Sequence, residues 1–108
     1  MPFTLLNISA LDRFSRKHRD AAKPLADWLH TMTRADWQSI ADLRRVYPSA
    51  DSVPVGGLGG HTIVMTVFDT RDHHCRLLTV INFAAGLCRV VVVLTKDEYS
   101  TDRWKDRL

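Results

Sequence analysis

The stretch that decides the fold is Cys75-Arg76-Leu77-Leu78-Thr79-Val80-Ile81-Asn82-Phe83, then Ala84-Ala85-Gly86, then Leu87-Cys88-Arg89-Val90-Val91-Val92-Val93-Leu94-Thr95. Both runs are rich in β-branched residues, as strands require. Their connection is far shorter than the crossover of about a dozen residues that parallel neighbours need, so they pair antiparallel. A third run, 61–68, precedes them across the link 69–74, and the three form a meander. In the last strand Cys88, Val90, Val92 and Leu94 alternate with Val91 and Val93, which makes both faces apolar and the strand interior. Arg76 and Arg89 stand out against that background. A three-residue turn at Ala84, Ala85 and Gly86 puts them on opposite faces, a four-residue turn on the same face, and the sequence leaves both open.

Working outward, the apolar residues Phe3, Leu5, Leu6 and Ile8 suit a first strand, after which Ser9 offers an oxygen to cap a helix. Leu11, Phe14 and His18 share the inner side of that helix, and Arg13, Arg16, Lys17 and Arg19 make its other sides basic. Pro24 fits the first turn of a second helix whose Leu25, Trp28, Leu29 and Met32 recur at i, i+3, i+4 and i+7 and should be buried against the sheet together with Trp37. Thr33 or Asp36 caps a third helical segment carrying Trp37, Ile40 and Leu43, which Tyr47-Pro48 ends. Pro48, Pro54 and the glycines at 56, 57, 59 and 60 mark a flexible Gly-rich loop around 51–60. A β-rich run follows it instead of a helix, and no Gly-Lys-Ser/Thr ending is present, so it is not a phosphate-cradling loop. The expectation is a single α+β domain over 1–108, with N-terminal helices packed on a small antiparallel sheet.

A chain of 108 residues has room for one core. Fifteen Lys and Arg against 12 Asp and Glu give +3, which permits a nucleic-acid partner without requiring one. Cys75 and Cys88 lie in apolar runs without metal-ligand spacing and read as buried free thiols. Adjacent histidines in a strand point to opposite faces, so His73 and His74 make a poor chelate, and no metal or cofactor is expected. No charged-then-apolar leader is recognisable, and no apolar run approaches the roughly 20 residues of a membrane span, so a cytoplasmic protein without a membrane partner is expected.

The polar residues fall in two groups. Thr95, Lys96, Asp97, Glu98 and Tyr99, followed by Arg103, Trp104 and Lys105, put cations, carboxylates, a phenol and an indole close together. Their structural reading is a short helix capped by Thr95, with Tyr99 and Trp104 packed on the core. Arg71, Asp72, His73, His74 and Arg76 form the second group. Metal-independent RNA cleavage needs help in removing the 2′-hydroxyl proton, cations for the phosphorane, and an acid for the departing 5′ oxygen, tasks that Lys, Arg, Tyr and His divide. No Ser-His-Asp or paired-carboxylate motif is recognisable.

In order and spacing, Lys17-His18-Arg19-Asp20-Ala21, Pro24-Leu25, Trp28, Ala35-Asp36-Trp37, Tyr47-Pro48-Ser49-Ala50-Asp51, Val67-Phe68, Arg76-Leu77, Ile81-Asn82-Phe83 and the terminal Thr95, Glu98 and Tyr99 resemble the HigB family of the RelE toxin superfamily. The resemblance covers nearly the whole chain. It implies a toxin of a type II toxin–antitoxin system, a ribosome-dependent endoribonuclease that cuts messenger RNA in the A site. It also implies a cognate helix-turn-helix (HigA-type) antitoxin, with operator DNA bound only through the complex. By position Arg76 and Tyr99 match the family's site, and with Lys96 they are the catalytic candidates; side-chain chemistry makes Arg71, His73, His74, Arg89, Arg103 and Lys105 the RNA-binding ones.

Three positions depart from the family pattern: Lys96 stands where the family usually has His, Val91 where it has Arg, and Asp69 where it has Asn. An ammonium stabilises phosphorane charge but, with an ordinary pKa of about 10.4, is a poor base near neutrality. Arg89, two residues from Val91, supplies a cation one side-chain pair away. Two other readings remain: an impaired relative that keeps antitoxin and operator binding, and a gyrase-poisoning toxin of the ParE branch, which the HigB-like landmarks disfavour.

Overall fold

The short connections produce the expected meander, and a computed structural model describes it over residues 2–56, 60–70 and 75–107. In chain order the elements are β1 (Thr4–Leu6), α1 (Ser9–Lys17), a 3-10 turn (Arg19–Ala21), α2 (Ala22–Arg34), α3 (Ile40–Val46), β2 (Asp51–Gly56), β3 (Thr62–Asp69), β4 (Cys75–Asn82), β5 (Leu87–Thr95), α4 (Lys96–Ser100) and a 3-10 turn (Arg103–Arg107). The sheet order is β1-β5-β4-β3-β2. The domain is α+β, and β5 is interior as its two apolar faces require.

Several sequence expectations need correction. The loop around 51–60 is in part a strand, because Asp51–Gly56 pairs antiparallel with β3, Pro54 opposite Val64. An edge strand tolerates proline, which lacks a ladder donor. The sheet is also mixed: β1 lies parallel to β5, Leu5 opposite Cys88, which the long helical connection allows. Ser9 is the first helical residue rather than the cap, and its Oγ accepts a hydrogen bond from Arg13 Nη1 at 3.0 Å. Ser39 caps α3 in place of Thr33 or Asp36, its side chain accepting from the Asp42 N–H. Extended backbone at Ala35 ends α2, leaving Trp37 between the two helices.

The helices cover one face of the sheet. Leu25, Trp28 and Met32 are buried, Leu29 and Trp37 half-buried, and all pack on a core with Phe68, Leu77, Cys88 and Val90. Phe68 takes Trp28 and Tyr47 edge-on, with ring centres 5.4 and 5.2 Å away. Both cysteines are buried, and at Cys88 burial outweighs a hydrogen bond with Thr79 to push the thiol up to about 12.

Two irregularities set which residues reach the opposite face. Residues 83–86 form the turn between Asn82 and Leu87, which pair, so it is the four-residue alternative; Gly86 sits there at φ +68°, where a side chain is disfavoured. Farther along, Leu78 opposes Val92 while Thr79 opposes Val90, making Val91 an extra residue in β5. The alternation read from the sequence therefore switches there: Cys88 and Val90 join the helix-covered core, and Val92 and Leu94 turn the other way. Arg89 opposes Val80, which shares its face with Arg76, and the two arginines lie on one face of the sheet.

Candidate active site

That second face has an apolar floor of Met65, Val67, Leu78 and Leu94, partly roofed by Tyr99 and Trp104. The roof is held by local chemistry. Thr95 accepts from the Glu98 N–H and Glu98 accepts from the Thr95 N–H, a capping box that starts α4 directly at the end of β5. Tyr99 and Trp104 stack with ring centres 5.4 Å apart, and the indole Nε1 donates to the Tyr99 carbonyl at 3.0 Å. Asp102 makes the link with φ +59°, a conformation Asp adopts more readily than most residues. Thr95 and Glu98 thus serve to place Tyr99.

Beside this roof Arg76 carries its guanidinium carbon 5.9 Å from the centre of the Tyr99 ring. Its Nη1 donates to Asp69 Oδ1 at 2.7 Å, and the two side chains are only 16% and 17% exposed. Asp69 and Arg76 are direct cross-strand partners. Burial raises the Tyr99 phenol above its ordinary value of 10.0, Asp51 adds to the rise, Arg76 opposes it and Asp102 adds again. At neutral pH this phenol keeps its proton and is suited to donating a hydrogen bond or a proton.

The expected site residues do not all converge. Arg76 and Tyr99 meet. Lys105 is next to them, its ammonium 5.5 Å from the Trp104 ring centre and 3.5 Å from Asp102 Oδ1. Arg103 is exposed in the same turn. Lys96 is exposed at the start of α4 and lines a cleft of about 320 Å³ with Phe14, His18, Asp20, Ala21, Thr95 and Asp97. In that cleft His18 stacks on Phe14 at 4.4 Å. Arg89 is on the Arg76 face but opposite Val80, four residues along β4 from Arg76 or about 13 Å at strand rise, beside Leu6, Ile63 and Leu87. Arg71, His73 and His74 lie outside the described residues. Among the described residues no group of three or more His, Cys, Asp or Glu is placed to hold a metal, and no helix is long and apolar enough to cross a membrane.

Three residues around the site escaped sequence reasoning. Asp69 appeared only as a departure from a pattern; its place opposite Arg76 is set by the β3–β4 register, which has no local sequence signal. Asp51 was assigned to a loop, yet the period-two apolar pair Val53 and Val55 announces the strand that carries it toward Tyr99. His18 enters through the cleft it shares with Lys96, a proximity with no local sequence signal.

Compared with known families, residues 21–102 match the profile of the HigB toxin, described as the RelE-like toxic component of a toxin-antitoxin system. No curated protein matches the chain.

Proposed function

The chain belongs to the HigB toxin family, the RelE-like toxic component of a toxin-antitoxin system, and from that premise we propose that it is an endoribonuclease cutting messenger RNA on the ribosome. The observation that carries this reading is the convergence of a half-buried guanidinium and a proton-holding phenol at the end of the sheet, Arg76 beside Tyr99. The 2′ oxygen attacks phosphorus, the bond to the 5′ oxygen breaks, and the 2′ proton leaves as another reaches the 5′ oxygen. Arg76 stabilises the charge that accumulates on the phosphorane. Tyr99, protonated at neutral pH, positions the phosphate or protonates the 5′ oxygen. Lys96 contributes a second positive charge from the start of α4. Arg103 and Lys105 meet neighbouring phosphates, and Arg89 follows the strand farther up. The expected partner is a HigA-type antitoxin, the expected site of action is the cytoplasm, and operator DNA is reached through the antitoxin complex.

Purified protein added to programmed ribosomes tests this by primer extension. Tyr99→Phe and Arg76→Gln should each lower cleavage by roughly 10²–10³-fold, the scale for one transition-state donor, with melting temperature falling little in Tyr99→Phe. Equal losses of rate and stability would make both residues structural. A wild type that binds antitoxin yet neither cleaves messages nor arrests growth would favour the second reading, an impaired relative. The specific observation in favour of that alternative is the Asp69 carboxylate on the Arg76 guanidinium.

A further inference from the structure

The acceptor that Arg76 now holds and the phosphodiester assigned to it have the same charge. We propose that Asp69 is a specificity-determining counterion, which keeps Arg76 occupied in the free protein and yields it only to a phosphodiester held in place by other contacts. The inference rests on the assignment of Arg76 to the RNA phosphate.

Backbone register fixes the pair: Asp69 opposes Arg76 directly, and the hairpin beyond is closed by Thr70 N–H donating to the Cys75 carbonyl at 3.3 Å. A short carboxylate side chain so anchored cannot move far from the guanidinium, whereas the longer arginine can. The pair is mostly buried at 2.7 Å, so mobile salt screens it poorly. The Cys75 carbonyl takes a second, longer contact from the same Nη1 at 3.4 Å. Asp51 and Asp102 add negative charge near Tyr99. A stray polyanion arriving here meets a neutralised arginine and a repelling carboxylate, and Coulombic gain alone does not displace it. A message already fixed by the ribosome has lost its freedom beforehand, so its phosphate competes with Asp69 at high effective concentration. Discrimination then arises from a repulsive element that the correct substrate overcomes and a loose one does not.

The test uses the full chain carrying Asp69→Asn, which keeps an acceptor for Arg76 and removes the charge. Affinity for a short single-stranded RNA should rise about tenfold, with the slope of log K against log salt steeper by about 0.7, the equivalent of one phosphate contact. Cleavage on programmed ribosomes should change less than about threefold, because there the phosphate is already held. In an Arg76→Gln background the gain from Asp69→Asn should vanish, and Asp102→Asn in the wild-type background should gain less than about twofold at a solvated carboxylate. Unchanged or weaker binding of free RNA by folded Asp69→Asn would overturn the proposal, as would a gain that persists without Arg76, which general charge explains. If Asp69→Asn does not fold, Asp69→Ser carries the same comparison. Absence of cleavage in every variant, with the binding gain intact, counts against the nuclease reading alone; cleavage without the gain counts against the counterion alone.

Discussion

The two faces of the sheet are made by the same strands and behave differently. On the helix-covered face Phe68, Leu77, Cys88 and Val90 are almost fully buried, and the one polar side chain among them on β4, Thr79, satisfies its hydroxyl on the Thr66 carbonyl at 2.8 Å. On the other face the apolar floor ends in charge: Asp69, Arg76 and Arg89 on the strands, with Lys105 and Asp102 on the roof. Among the described residues one face is closed by three helices, the other by a five-residue helix and a 3-10 turn. The dry face holds the larger buried apolar cluster, and the half-covered face holds the charged groups. Apolar content alone does not distinguish the faces, since both are rich in valine and leucine; the placement of arginine does.

The largest expected effect lies on the closed face. Phe68→Ala removes a ring that is 1% exposed between Trp28 and Tyr47, and should destabilise by roughly 3–5 kcal/mol in denaturant titration. A loss under about 1 kcal/mol would mean that this face relaxes around cavities and is not the stabilising one.

Next come substitutions at Lys96, which separate the open face from the cleft at its edge. If Lys96 acts as a cation, Lys96→Arg should retain most of the cleavage rate, Lys96→Ala should lose roughly 10²–10³-fold, and Lys96→His should give no large gain. Faster cleavage by Lys96→His, with a new ionisation in the pH profile near that of free imidazole at ~6.5, would show instead that the chemistry wants an imidazole beside Tyr99. No change in Lys96→Ala would sink both ideas and shift attention to residues 71–76.

The smallest effect is a pH dependence of stability. Burial raises the Tyr99 phenol in the folded chain, so the native state holds this proton more tightly than the unfolded one. The contribution is complete below the ordinary phenol range near ~10 and is lost as pH rises through the folded value. Urea midpoints should therefore fall faster above that range in wild type than in Tyr99→Phe. Parallel curves would mean that the phenol is as solvated as in the unfolded chain.

How far the sequence could be read follows the same division. Strands β3 to β5 were legible because β-branched runs with short links admit one pairing, and α2 because Leu25, Trp28 and Met32 fall on one stripe. β2 was hidden by Pro54 and the glycines after it, since composition alone does not distinguish a proline-bearing edge strand from a loop. Arg76 stood out as a cation in an apolar strand, and Tyr99 as the phenol of a dense polar group after β5. Asp69 did not, because its role comes from cross-strand register, and register depends on hairpin geometry rather than residue type. Lys96 was grouped with Tyr99 by proximity in the chain, while its cleft neighbour His18 comes from α1's far end, a contact made only by tertiary packing.

Val91, the unpaired residue of β5, gives the strand a property independent of its composition. It works as a parity switch: residues before it and after it count the two faces in opposite phase. Pairing Val91 in regular register, with Val92 kept opposite Leu78, would send Arg89 toward the helices and bring Val90 out, with every side chain chemically unchanged. What puts Arg89 on the open face is therefore the bulge as much as the residue: deleting Val91 with both flanking registers kept leaves Arg89 and Val90 where they are, whereas losing the bulge with the residue retained exchanges them.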